Sequence, residues 1–283
     1  MNKYIKNLAH ISYLSSNPAK FVETFKKINI LEMFTTKYGE LYEVLKKAFG
    51  DNPNQYQIDR LDYLEAKYND PWNTYLKLNN NQFIEIFYPE QRLDNKDDLE
   101  YIGFNNVIIE VEDIEKILEI LKLTYKNNEN IIKHLAYFDE DNNHFIFIES
   151  KDHKVGLNSV VFFTNNYEEM VEFYSDKLLL DIISTNELET VFNVNDNQYI
   201  RIVKKDALLN IDYESHYGFR HICIEVSDIK KSRELLIKNG LSPDSEIRRG
   251  IDKSYQFWIS DPDGNKYELM EYTPVSKQVK YNM

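Results

Sequence analysis

Gln256-Phe257-Trp258-Ile259-Ser260-Asp261-Pro262-Asp263-Gly264-Asn265-Lys266-Tyr267-Glu268-Leu269-Met270 is the stretch on which the fold turns. A polar turn rich in Asp, Pro, Gly and Asn precedes a strand, Tyr267 to Met270, and turn chemistry of this kind marks hairpin ends. Three other segments have the same build: Asn80-Asn81-Gln82 before Phe83 to Phe87, Asp141-Asn142-Asn143 before Phe145 to Ile148, and Asp196-Asn197 before Tyr199 to Val203. A turn and strand that recur four times point to an internal repeat.

Each closing strand has an opening one upstream. The four openings are Leu8 to Tyr13, Phe104 to Ile109, Leu157 to Phe162, and Phe219 to Ile224. An amphipathic helical stretch follows each, read from Phe21, Phe25 and Ile28; Ile114, Ile117 and Leu121; Met170, Phe173 and Tyr174; and Leu235, Leu236 and Ile237. The last stretch stops at Asn239-Gly240, a helix C-terminal signal. The fold class expected is α+β, with four βαβββ modules forming two cupped mixed sheets and helices outside. The modules run 1–97, 98–153, 154–214 and 215–283, and the first carries an insertion over about 38–70 with helix-like runs.

Composition bounds the function. The 283 residues, 42% hydrophobic and 14% aromatic, describe a packed globular chain. A net charge of −13 opposes binding to nucleic acid or anionic lipid. No segment reads as a signal peptide or a membrane span. The single cysteine, Cys223, sits in an apolar run and reads as a buried inert thiol. A cytoplasmic protein is expected, without nucleic-acid or membrane partners.

The closing stretch, with Gly250-Ile251-Asp252 before it, resembles the end of a glyoxalase and bleomycin-resistance module of the vicinal oxygen chelate superfamily. Pro71 to Leu78 and Gln82 to Phe87 are similar in the first module, and Glu172-Phe173-Tyr174 followed by Leu178-Leu179-Leu180 in the third. The resemblance implies that two modules form a cup around one divalent metal ion. Its ligands come from first strands, usually His or Gln, and from last strands, usually Glu. The residues here are His10 and Glu85 in module one and His221 and Glu268 in module four. Module two has Asn106 and Ile146 at those places, and module three has Asn158 and Arg201.

Strand alternation supports the placement, because Ile84 and Ile86, Ile222 and Ile224, and Tyr267 and Leu269 would face the helices and leave the ligands inward. Glu271 has the wrong parity. Pairing modules one with four and two with three gathers all four ligands in one cup, whereas pairing one with two and three with four leaves half a site in each. Arg201 at a ligand position argues against metal in the second cup.

The resemblance implies a metal-dependent, glyoxalase-like lyase or isomerase that chelates a small carbonyl compound through two oxygens and stabilises an enediolate, with Glu85 or Glu268 as the base. The metal is Zn, Ni, Co, Mn or Fe. Two other readings stay open: a non-enzymatic binder of a drug or metabolite, and an extradiol dioxygenase, which needs a His where Asn158 or Ser159 stands. Trp72, Gln256 and Trp258 are candidates for the substrate pocket. Asp252 reads equally as a turn residue, Arg248-Arg249 as a loop charge pair in preference to a carboxylate anchor, and His134, His144, His153 and His216 as exposed. A monomer or weak homodimer is expected.

Overall fold

The computed structural model describes residues 4–95, 100–122, 134–152, 154–195 and 197–282. His153 and Asp196, both singled out above, lie outside the described residues. The chain is α+β, with two mixed sheets of eight and seven strands.

The first module comprises β1 (Ile5–Leu14), α1 (Pro18–Lys27), β2 (Leu31–Lys37), α2 (Tyr38–Phe49), α3 (Gln55–Ala66), β3 (Pro71–Asn79) and β4 (Gln82–Phe87). The second comprises β5 (Gly103–Val111), α4 (Ile114–Leu121), β6 (His134–Phe138) and β7 (His144–Glu149). The third has β8 (Gly156–Thr164), α5 (Tyr167–Glu172) with a π-helical turn over Phe173–Lys177, β9 (Asp181–Thr185), β10 (Glu189–Asn195) and β11 (Gln198–Lys204). The last has β12 (Gly218–Val226), α6 (Ile229–Lys238), β13 (Arg248–Arg249), β14 (Tyr255–Ser260), β15 (Lys266–Glu271) and α7 (Lys277–Lys280).

Local chemistry sets the helix starts. Asn17, Asp113 and Asp228 each accept a hydrogen bond from the backbone N–H three residues on, at Lys20, Lys116 and Lys231. Such side chains satisfy donors that the first helical turn leaves unpaired.

The eight-stranded sheet runs β13-β14-β15-β12-β1-β4-β3-β2, and the seven-stranded one β6-β7-β5-β8-β11-β10-β9. At the centre of each, two opening strands pair antiparallel, β1 with β12 and β5 with β8, and each has a closing strand parallel on its outer side. The faces away from the cups, together with the helices, form one apolar core that spans both sheets. Within it Phe104 stacks on Phe219 at 4.3 Å, and Tyr13 meets Phe145 at 5.3 Å.

All four opening strands are bulged near their start. Leu8 and His10, Phe104 and Asn106, Leu157 and Ser159, and Phe219 and His221 are paired across the centre, while Ala9, Asn105, Asn158 and Arg220 between them are skipped. A bulge inserts one residue and re-aims its side chain. The expectation for module three is thereby corrected: the counterpart of His221 is the buried Ser159, and Asn158 is the skipped residue, turned aside to donate to Glu110 Oε1 at 3.0 Å.

Three histidines expected to be exposed are half-buried. His144 stacks on Phe138 at 4.3 Å, His216 Nδ1 lies 2.9 Å from the Asp212 carbonyl, and His134 begins β6.

Candidate metal centre

β1 and β12 carry His10 and His221 side by side at the middle of the eight-stranded sheet, and β4 and β15 carry Glu85 and Glu268 immediately outside them. All four residues are buried on the cup side. Their neighbours along the strand, Ile84, Ile86, Ile222, Ile224, Tyr267 and Leu269, belong to the core on the opposite face.

The donor atoms converge. His10 Nε2 lies 3.1 Å from His221 Nε2. Glu85 Oε2 is 3.4 Å from each of those nitrogens, and Glu268 Oε2 is 3.5 Å from His10 and 3.7 Å from His221. Among the described residues His10, His221 and Glu268 bring one donor atom each within 4.8 Å of one another, close enough to hold a metal ion together, and Glu85 adjoins them. Ligands about 2.0–2.2 Å from a single ion stand roughly 3.0–3.5 Å from one another, so the donor set fits one divalent ion.

Ring contacts and one amide hold the donors. Tyr75 meets His10 edge-on at 5.5 Å, and Trp258 meets His221 edge-on at 4.8 Å. Asn73 Nδ2 donates to Glu85 Oε1 at 2.6 Å, leaving Oε2 for the centre. Burial lowers the pKa of His10, but Glu268 and Glu85 overcome it and leave the imidazole raised above its ordinary value. Burial raises that of Glu268, yet hydrogen bonds from His10 and His221 hold it down at about 2. Two imidazoles and two carboxylates in so small a space compensate one another's charge.

The centre forms the floor of a cavity of about 880 Å³ bordered by Glu85, His221 and Glu268. Trp72, Gln256 and Trp258 all border it, as do Arg248 and Arg249. The insertion supplies another wall: α2 brings Leu41, Val44 and Leu45, and α3 brings Arg60 and Tyr63. Leu41, Tyr38, Tyr42 and Leu64 form the insertion's own small core, against which Trp72 and Ile251 pack.

Asn73 carries no role in the sequence reading, and Asp252 stands there between the pocket and an ordinary turn. Asn73, which clamps Glu85, has inward parity two residues before Tyr75, and strand alternation is the only signal it leaves. Asp252 is a buried wall residue, with its carboxylate accepting from Ser254 N–H at 3.2 Å and Ser254 Oγ at 2.6 Å. Burial first, and then the charge of Glu268, push its pKa up. In the second cup the corresponding residues are Asn106, Ile146, Ser159 and Arg201, and Arg201 is ion-paired with Glu189 at 2.7 Å.

Residues 156–269 match the model of the Glyoxalase/Bleomycin resistance protein/Dioxygenase superfamily. A 64-residue stretch is 39% identical to glyoxalase I of Saccharomyces cerevisiae (strain ATCC 204508 / S288c); it covers 23% of this chain and 19% of that protein, so the chain spans about a fifth of the length of the relative it matches. The fold is similar to that of a point mutant of glyoxalase I from Zea mays, with a TM-score of 0.66 and 15% identity over 98% of this chain and 95% of that one. A putative dioxygenase from Bacillus subtilis subsp. subtilis str. 168 is similar at a TM-score of 0.66 and 12% identity, over 95% and 86% of the two chains. Likeness at such low identity is likeness of fold.

Proposed function

We propose that this chain, whose residues 156–269 match the Glyoxalase/Bleomycin resistance protein/Dioxygenase superfamily model and whose fold is similar to that of a glyoxalase I, is a metal-dependent lyase or isomerase of that superfamily acting on a small carbonyl compound. The observation that carries the reading is the convergence of His10, Glu85, His221 and Glu268, with imidazole–imidazole and imidazole–carboxylate separations of 3.1 to 3.7 Å, at a cavity of about 880 Å³. These four side chains would hold one ion of Zn, Ni, Co, Mn or Fe. When bound, such an ion supplies Lewis acidity toward two adjacent oxygens of the substrate.

The protein's own groups divide the remaining work. Asn73 ties one oxygen of Glu85 and fixes that carboxylate in place. Glu268 has no amide clamp among the described residues, and it borders the cavity. It is therefore the carboxylate suited to take the proton from carbon next to the carbonyl and to return it at the neighbouring atom. Trp72, Gln256 and Trp258 would orient the substrate and exclude water.

Turnover of 2-oxoaldehyde–thiol adducts by the metal-loaded protein in D₂O, followed by NMR, tests the reading. Product formation that falls by about 100-fold or more in Glu268→Gln is expected, in line with the usual contribution of a positioned base. Adduct binding with no turnover would contradict the lyase and leave a sequestering binder in its place.

A further inference from the structure

The charges around the cavity are not balanced alike. Arg60 is paired with Glu90, and Lys266 with Asp244 at 3.0 Å, so two of the bordering cations are matched. Arg248 is paired with Gln256 through the β13–β14 ladder, but its guanidinium has no hydrogen-bond or ion-pair partner among the described residues, and Arg249 Nε donates to the Lys253 carbonyl at 3.3 Å. Arg220 is the bulge residue immediately before His221, half-buried at the cavity edge. Its guanidinium donates to the carbonyls of Phe219 at 3.1 Å and His216 at 2.5 Å, and no carboxylate among the described residues lies within ion-pair distance. Of the acids in the same loop, Asp212 is engaged by Ser215 and the Glu214 N–H, and Glu214 is exposed at the cavity edge; both act on Arg220 through charge, and neither forms an ion pair with it.

A partly desolvated guanidinium with no carboxylate in direct contact keeps N–H donors free for an anion, and its fork geometry suits carboxylate or phosphate oxygens. Retaining such a cation at the cavity edge is also unexpected on a chain whose net charge is −13. The wall supplied by Leu41, Val44 and Leu45 is apolar.

We propose that the ligand of this cavity carries an anionic group seated on Arg220 and Arg248, with an apolar body against the insertion. The inference rests on the chelating reading of the centre, and the probes below separate the two. Benzohydroxamate presents two adjacent oxygens to a metal and is otherwise neutral; 3- and 4-carboxybenzohydroxamate add one negative charge. Both tryptophans of the chain border the cavity, so their fluorescence reports binding.

On the metal-loaded protein, one of the carboxylated probes is expected to bind about tenfold or more tightly than benzohydroxamate. The advantage should shrink with added salt and disappear in Arg220→Gln and in Arg248→Ala. Both variants should keep the wild-type metal content and the wild-type affinity for benzohydroxamate. Equal affinity for charged and neutral probes in the wild type would overturn the anion seat while leaving the metal reading standing. Failure of every probe to bind the metal-loaded protein would overturn both. Arg248→Ala changes an exposed edge residue, so its result does not depend on how well the Arg220 variant folds.

Discussion

Glu85 and Glu268 bear the same carboxylate in different company. Asn73 holds the first, and among the described residues only the two imidazoles hold the second. Groups that orient a ligand are commonly worth 10–100-fold in metal affinity. Asn73→Ala should therefore weaken metal binding by roughly that factor, measured by competition with a chromophoric chelator. It should also lower the melting temperature of the metal-free protein, because it leaves a buried carboxylate oxygen of Glu85 without its donor, a loss of about 1–3 kcal/mol. The pH dependence of the metal-free protein follows from two shifts. Glu268, held at about 2 against an ordinary 4.5, contributes stability that is full above pH 4.5 and is lost as the pH falls toward 2. His10, raised above 6.5, contributes stability that is full below 6.5 and is lost as the pH rises through its folded value. Thermal melts should accordingly show a maximum between about pH 4.5 and 6.5, and Glu268→Gln should flatten both flanks. At this scale, the candidate donor residues and their strand parity are readable in the sequence, because alternation is local. Asn73 and the burial of Asp252 are not, because they depend on which strand lies alongside and on what roofs the loop.

The elements join through a few polar hubs. Asp261, in the turn before β15, accepts from the N–H of Asp263 and Asn265, from Asn265 Nδ2, and from the hydroxyls of Tyr174 and Tyr267. Asn265 in turn accepts from Phe104 N–H at the start of β5. Gly103 stands there at φ +102°, where a Cβ would meet Asn265 Oδ1 at 2.5 Å. One turn thus ties the two sheets together, and truncating its centre strands several buried donors. Asp261→Ala should cost roughly 2–4 kcal/mol in denaturant unfolding, since each donor left unsatisfied carries a desolvation penalty. The turns and helices of the repeat are plain in the sequence. The bulges are not: Asn158 and Ser159 differ by one place, and which of them is skipped is decided by pairing with β5, a contact between distant strands.

At the scale of the whole molecule, four modules of one design differ in what they carry. One sheet presents two histidines and two glutamates in its cup, and the other presents Asn106, Ile146, Ser159 and Arg201 in the corresponding places. The helix-like runs of the insertion are legible in sequence, but its seat against the cavity rests also on Ile251, which reaches it only through the fold. The most direct test is metal content by mass spectrometry after gentle purification, on the wild type and on His10→Ala and Glu268→Ala. About one divalent ion per chain, lost or greatly reduced in both variants, is the expected result. A wild type that takes up no ion even when offered Zn, Ni, Co, Mn and Fe, or variants that retain it in full, would contradict the account.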